Sequence, residues 1–453
     1  MSDQLIIRPP KEESLVYILE GETVLIGSDD ACHIALLPHP SIQPKHALIE
    51  KASGLWMVRS YHPSSPLTLD GRTIVEMRLE PGSRFEVGLT QFEFVSDRTT
   101  LEGGSAPTTE FESPAAAVAL LSAAEQRITT EVARVVVGHS AVVRQILVAL
   151  FSRGHCLLVG PPGLGKTLMA RALAGTLDLQ CKRVQFTPDL NPSDIIGVDV
   201  KEENSLGSAG RVHFKRGPIF TNLLFADEIN RTPQKTQVAF LEAMQERRVT
   251  ASGVTYDLPQ PFFVIATQSP IEQEGAYPLP EAQLDRFMFS IKMEYPTLEE
   301  EERIIMESTQ DAAREVERVL NGEALVNFQH LIRKAPVSAH VGAFVTRLVR
   351  ATRPDAPHAP EFINRWVRRG ASPRAGQHLL LAAKSYALLN GRLNVSCDDV
   401  RAFALPALRH RILCNFSALS EGVDSDEVIR RLLVDVQEPD YGEKSKNEEN
   451  RKG

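Results

Sequence analysis

The sequence predicts a multidomain chain: an N-terminal all-β sandwich, an α/β core built on a phosphate-binding loop, and a C-terminal α-helical subdomain. Three observations predict it. Short β-type runs broken by turns fill Leu15 to Val95, the pattern G-x-x-x-x-G-K-[ST] follows the apolar run Cys156-Leu157-Leu158-Val159, and helical runs replace strands from Leu298 onward. A chain of 453 residues exceeds one ordinary core, and suits two or three domains of roughly 100–200 residues each.

In the first region the runs are Leu15 to Leu19, Thr23 to Ile26, Ala47 to Ile49, Leu55 to Val58, Arg84 to Val87 and Gln91 to Val95, with turn signals at Asp70-Gly71 and Pro81-Gly82. They set a domain at residues 1–98. Leu101-Glu102-Gly103-Gly104-Ser105-Ala106-Pro107-Thr108-Thr109 has no periodicity and reads as part of a flexible linker over residues 99–120. Over 121–297, helical segments alternate with the apolar strands Leu157 to Val159, Leu223 to Ala226 and Phe262 to Ala266. Continuous apolar strands belong in a mainly parallel sheet covered on both faces. Residues 298–437 carry the helical runs Val341 to Arg350, Ala375 to Leu389 and Asp398 to Phe403, with Ser396 placed as an N-cap and Asp399 three residues on. The charged tail 438–453 lacks an apolar face and is expected to be disordered.

Composition narrows the function. A hydrophobic fraction of 43% and a charged fraction of 24% are those of a soluble globular protein. The formal net charge of -8 disfavours nucleic acid as a general partner. Cys32, Cys156, Cys181, Cys397 and Cys414 show neither paired spacing nor a zinc pattern, which fits free thiols in a cytoplasmic protein. No basic start leads into an apolar segment and no apolar run reaches spanning length, so membrane insertion is not expected.

The loop Gly160, Pro161, Pro162, Gly163, Leu164, Gly165, Lys166, Thr167 implies ATP and Mg²⁺ as ligands. Its glycines let backbone N–H groups turn toward phosphate oxygens, and the helical run from Leu168 to Leu177 adds a positive dipole end. Lys166 reaches the β- and γ-phosphates, and the Thr167 hydroxyl holds the metal. The apolar strand Leu223 to Ala226 ends in Asp227 and Glu228. Asp227 is placed to hold Mg²⁺ through its water shell, and Glu228 to orient and deprotonate water, so hydrolysis is preferred over transfer to a substrate hydroxyl.

Longer motifs add a resemblance. Gly217-Pro218-Ile219-Phe220, Ala226-Asp227-Glu228-Ile229-Asn230-Arg231, Leu241-Glu242-Ala243-Met244-Gln245-Glu246, Ala266-Thr267-Gln268, Ile271-Glu272-Gln273-Glu274-Gly275 and Tyr277 through Phe287 resemble the MoxR family of AAA+ ATPases, from about Val137 to Ile412. The resemblance implies an αβα core with a helical lid, assembled as a homo-oligomeric ring, commonly a hexamer. It implies Gln268 as sensor 1, although most relatives have Asn where this chain has Ser269, which leaves open which of the two reads the γ-phosphate. It implies Arg286 as an arginine finger reaching the neighbour's ATP, suited to the task by its fixed charge and bidentate fork. It implies Arg374, in Gly370-Ala371-Ser372-Pro373-Arg374-Ala375, as sensor 2 on the lid. Asp194 to Gly217 resembles the helix-2 insert of this clade, and Arg248 to Tyr256 the pre-sensor-1 hairpin.

Ile26-Gly27, Lys45-His46-Ala47, Leu69-Asp70-Gly71 and Phe85 to Gly88 resemble a forkhead-associated domain over residues 5 to 97. Such domains usually bind phosphothreonine, but Ser28, Gln43 and Ser65-Pro66 stand where the family keeps its phosphate-binding Arg, Ser and Asn-Gly. That loss removes charge-assisted bonds to phosphate and implies a docking module that does not need it. His46 is expected to brace the binding loops. The reading that results is an ATP-hydrolysing, chaperone-like remodeller of a protein client, with a von Willebrand factor A domain protein as the first client to test. The alternatives are a nucleic-acid-stimulated motor related to minichromosome-maintenance helicases and a phosphopeptide-docking regulatory ATPase.

Overall fold

A computed structural model describes residues 3–9, 15–19, 23–29, 31–36, 39–52, 55–62, 67–69, 72–79, 83–96, 113–201, 212–251, 253–268, 277, 279–308, 315–357 and 359–439. The chain divides into two compact units, Met1–Thr108 and Thr109–Gly453.

The first unit holds two sheets. One orders Leu15–Ile18, Asp3–Arg8, Thr90–Ser96, Arg84–Val87, Leu67–Leu69 and Arg72–Ile74; the other orders Ile34–Ala35, Thr23–Gly27, Ala47–Ala52, Leu55–Ser60 and Glu76–Leu79. Side chains alternate along a strand, so Val24 and Ile26, Phe85 and Val87, and Phe92 and Phe94 point into one shared core. Phe85 faces Phe92 across the ladder, and their rings stack at 5.0 Å. His46 is buried, and its Nδ1 accepts the Gln43 N–H at 3.2 Å, a bracing bond between loop and strand. The turn signals Asp70-Gly71 and Pro81-Gly82 and the pair Ser65-Pro66 lie outside the described residues, as do residues 99–112 of the expected linker.

The second unit begins earlier than the sequence reading set it. Helix Pro114–Ala133 takes in residues 114–120, which were expected as linker. The cause is local: the Ser113 hydroxyl accepts the Ala116 N–H at 3.2 Å, Pro114 fits the first helical turn, and an alanine-rich run follows. At the other end Glu438, expected within the disordered tail, bonds Arg401 at 2.8 Å and His340 at 3.1 Å; residues 440–453 lie outside the described residues.

The central sheet is parallel, in the order Cys181–Gln185, Leu223–Asp227, Phe263–Gln268, Cys156–Val159, Phe289–Lys292. Successive residues serve opposite faces: Leu223, Phe225, Phe263 and Ile265 join one core, while Leu224, Ala226, Val264 and Ala266 join the other. Helices Pro114–Ala133, Ser140–Phe151 and Lys166–Thr176 contribute to the first core, and helix Gln234–Glu246 to the second, giving three layers. The lid helices Ala339–Ala351 and Pro373–Leu389 share that first core through Phe344, Leu348, Leu379 and Ala383. One short pairing, Val367–Arg369 with Leu413–Cys414, interrupts a region expected to be purely helical. Ser396 and Asp399 form a reciprocal capping box on helix Cys397–Ala402. Among the described residues no helix is long and apolar enough to cross a membrane.

Candidate active site

The phosphate loop leaves strand Cys156–Val159 at Gly160 and enters helix Lys166–Thr176 at Gly165. Gly163 and Gly165 take φ of +86° and +73°, a region that favours glycine, and a side-chain carbon at either would meet nothing within 4 Å. The loop therefore faces open space. The helix has no side-chain cap, so its first N–H groups remain available to an anion. Lys166 Nζ donates to the Gly160 carbonyl at 2.5 Å. Burial lowers its pKa, against the opposing pull of Asp227 and Glu228.

In front of the loop lies a cavity of about 400 Å³, lined by Pro162, Gly163, Gly165, Lys166, Thr167, Leu168, Arg183, Asp227, Glu228 and Thr267. Both acids are held at the tip of strand Leu223–Asp227 by side chains the sequence reading did not name. The Thr267 hydroxyl donates to Asp227 Oδ1 at 2.7 Å and accepts the Glu228 N–H at 2.8 Å. Arg183 donates to Asp227 Oδ2 at 2.6 Å, while Gln185 Nε2 and Arg231 Nε reach Glu228 Oε2 at 2.9 Å each. Glu228 sits at φ 58°, a conformation costly for a residue with a side chain, and these bonds hold it there.

A second cavity of about 730 Å³ borders the same loop, with Val135, Val136, Val137, Leu164, Leu168, Pro296, Ile304 and Ile305 in its wall. An apolar pocket against a phosphate cradle fits a nucleotide base. The donor set also fits Mg²⁺, since Thr167 and Asp227 place hard oxygen ligands on one cavity wall.

Three of the expected catalytic residues, Gln268, Arg286 and Arg374, do not line the phosphate cavity, and neither do Gly160, Pro161 and Leu164 of the loop. Gln268 ends its strand, its carbonyl accepting the Gly160 N–H at 3.4 Å; the preceding Thr267 is the residue that touches the acids. Ser269 lies outside the described residues. Arg286 Nη1 is buried without a hydrogen-bond partner among the described residues. Arg374 Nη1 lies 3.6 Å from Asp285. Alternation along strand Phe263–Gln268 was the one signal that could have separated Thr267 from Gln268. Strand Cys181–Gln185, which carries Arg183 and Gln185, has no apolar run to mark it.

Two hairpins stand where the inserts were expected: Gly197–Lys201 with Val212–Arg216, and Arg248–Ala251 with Val254–Asp257. They touch through Phe214 and Tyr256, whose rings stack at 4.8 Å.

Residues 155–289 match the ATPase family associated with various cellular activities (AAA), and 363–432 match the AAA lid domain. Residues 10–98 match the cytoplasmic domain of an inner membrane component of the type III secretion system. The chain is 42% identical to Chaperone MoxR1 of Mycobacterium tuberculosis over 69% of its length and 82% of that relative. It is 32% identical to Protein MoxR of Methylorubrum extorquens, over 69% of this chain and 91% of that one. A crystal structure from Cytophaga hutchinsonii, provisionally described as an ATPase, aligns with a TM-score of 0.67 at 38% identity, covering 72% of this chain and 97% of that one.

Proposed function

The chain belongs to the MoxR family of AAA+ ATPases, and from that premise we propose that it couples ATP hydrolysis to the chaperone-like remodelling of a protein client. The observation that carries the hydrolytic half is the restraint of Glu228: its backbone and carboxylate are fixed by Thr267, Gln185 and Arg231 beside Lys166 in a cavity open to the phosphate loop. A carboxylate so placed takes a proton from water as the water oxygen attacks the γ-phosphorus; the bond to the β–γ bridging oxygen breaks, and ADP and phosphate leave. Lys166 and the loop N–H groups neutralise the phosphates. Mg²⁺, held by Thr167 and Asp227, would share that charge.

In this reading the working form is a ring, commonly of six copies. Arg286 serves the neighbour's ATP, and Arg374 serves the nucleotide of its own subunit. Support for the role of Arg286 comes from position: it does not line its own chain's phosphate cavity, and it has a buried nitrogen with no hydrogen-bond partner among the described residues. The paired hairpins are the segments we assign to client contact, with a von Willebrand factor A domain protein as the first client to test. The N-terminal unit is read as a forkhead-associated-like docking module that does not require phosphate, because Ser28 stands where the family keeps its phosphate-binding arginine and Gln43 where it keeps its serine.

A Glu228→Gln variant loaded with ATP tests the proposal as a trap. It is expected to retain a discrete protein client that ADP releases. ATPase stimulation by double-stranded DNA, with no protein retained, would replace this reading with that of a nucleic-acid motor.

A further inference from the structure

Asp285, the residue before Arg286, carries one carboxylate that serves two sides of the molecule. Its Oδ1 accepts from Arg411 Nε at 2.7 Å, and its Oδ2 accepts from Ser372 Oγ at 3.2 Å. Ser372 is the N-cap residue of lid helix Pro373–Leu389, which bears Arg374, and Arg374 Nη1 approaches Asp285 Oδ2 at 3.6 Å.

Arg411 is the anchor of this arrangement. Its side chain is 2% exposed. It donates to the backbone carbonyls of Asp285 at 3.0 Å, Phe287 at 2.7 Å and Met288 at 3.2 Å, as well as to Ala407, and meets His378 Nδ1 at 2.8 Å. Carbonyls on both sides of Arg286 are thus tied to one buried cation. A buried guanidinium needs a carboxylate partner, and among the described residues Asp285 is the one paired with Arg411.

The three contacts on Asp285 differ in strength. The Arg411 pair is short and its guanidinium buried, whereas Arg374 is 39% exposed and, at 3.6 Å, beyond hydrogen-bond distance. Phosphate charge can therefore draw Arg374 away while Arg411 keeps the Asp285–Met288 segment in place. We propose that Asp285 is a positioning residue joining the two arginines: it seats Arg286 through Arg411, and it holds Arg374 off the phosphate cavity until ATP competes for that arginine. The inference rests on the nucleotide roles given above to Arg286 and Arg374.

Asp285→Asn tests it, because asparagine keeps the shape and can still accept from Ser372 and Arg411 but no longer holds Arg374 by charge. ATP affinity is measured in the Glu228→Gln background, so that nothing is hydrolysed, and turnover in the otherwise native ring. Affinity is expected to tighten by about two- to fivefold, the worth of a part-exposed ion pair. Turnover is expected to fall about tenfold or more, because a neutral amide no longer balances the buried Arg411 cation that seats Arg286. A merely structural lesion moves both in the unfavourable direction. In an Arg374→Ala background the tightening is expected to vanish, since no arginine remains to be released.

Unchanged or weaker ATP binding by Asp285→Asn, or tightening that persists without Arg374, would overturn the proposal. Ser372→Ala, which leaves the Arg411 pair in place, gives a second route if the asparagine variant does not fold; a smaller tightening is expected, and none would count against the latch. Arg374→Ala with native affinity and native turnover would instead refute the nucleotide role of Arg374, and the latch would fall with it.

Discussion

Thr267 bonds both acids of the proposed site, and Thr267→Val removes its hydroxyl while keeping its shape. The variant loses the bond to the Asp227 carboxylate at 2.7 Å and the bond from the Glu228 N–H at 2.8 Å. A bond to a charged group contributes about 1.5–3 kcal/mol and a neutral one about 0.5–1.5 kcal/mol, so together they restrain the acids by about 2–4.5 kcal/mol. Expressed wholly in the transition state, that is about 30- to 2000-fold in rate. Part of the loss will appear as stability instead, because Thr267 is 1% exposed and both partners are left unsatisfied. Turnover is therefore expected to fall by at least about tenfold. ATP affinity is expected to change by less than about threefold, since Lys166 and the loop N–H groups are untouched. Steady-state phosphate release gives the first quantity, and equilibrium binding of a fluorescent ATP analogue the second. Thr267→Ser, which keeps both bonds, serves as the control and retains near-native turnover. Native turnover in the valine variant, confirmed folded, would refute the argument that this hydroxyl positions the acids.

Lys166→Ala is expected to abolish ATP binding, whereas Glu228→Gln keeps binding and loses hydrolysis, because only the lysine meets phosphate charge directly; equal loss of affinity in both would contradict that division, read by equilibrium dialysis. Acid sensitivity follows from His155 and His378, which burial holds neutral with pKa lowered to about 3 from 6.5. Between those values the unfolded chain binds the proton and the folded chain does not, so stability falls as pH drops, by about 1.4 kcal/mol per pH unit for each histidine. Urea midpoints at pH 7 and pH 5 are expected to show that loss, and His155→Gln to flatten it by one histidine's share; an unchanged slope would count against the burial argument.

What the sequence disclosed was what lies consecutively along it. The phosphate loop, the acid pair and the capping box at Ser396 and Asp399 each depend on neighbours a few residues apart, and each stands where its spacing placed it. Helix Pro114–Ala133 starts inside the stretch expected as linker, at the N-cap signal Ser113-Pro114, which closely follows a Gly- and Thr-containing run without periodicity. The groups that hold the acids were hidden for a different reason. Arg183 and Gln185 lie on a strand of mixed polarity, more than forty positions from the acids they bond, and nothing but the sheet order brings them together. Arg411 was hidden more deeply: an arginine in a helical region reads as solvated surface, and only the fold reveals that it is buried against Asp285, 126 residues away.

The central claim, that each ATP site is completed by a neighbouring copy, is tested most directly by mixing two inactive variants. Arg286→Ala damages the site of the adjacent subunit and Glu228→Gln damages its own, so each pure ring is expected to be nearly inactive, arginine fingers being worth about 10³–10⁵ in rate. Random equal mixing into a closed ring regenerates intact interfaces at about one in four, the product of two one-half probabilities. With subunit exchange verified by mass spectrometry, the account predicts that ATPase activity returns toward about a quarter of the native value. A mixture as inactive as its parents would contradict it, provided that wild-type rings doped with a small fraction of Glu228→Gln lose activity only in proportion to the dose.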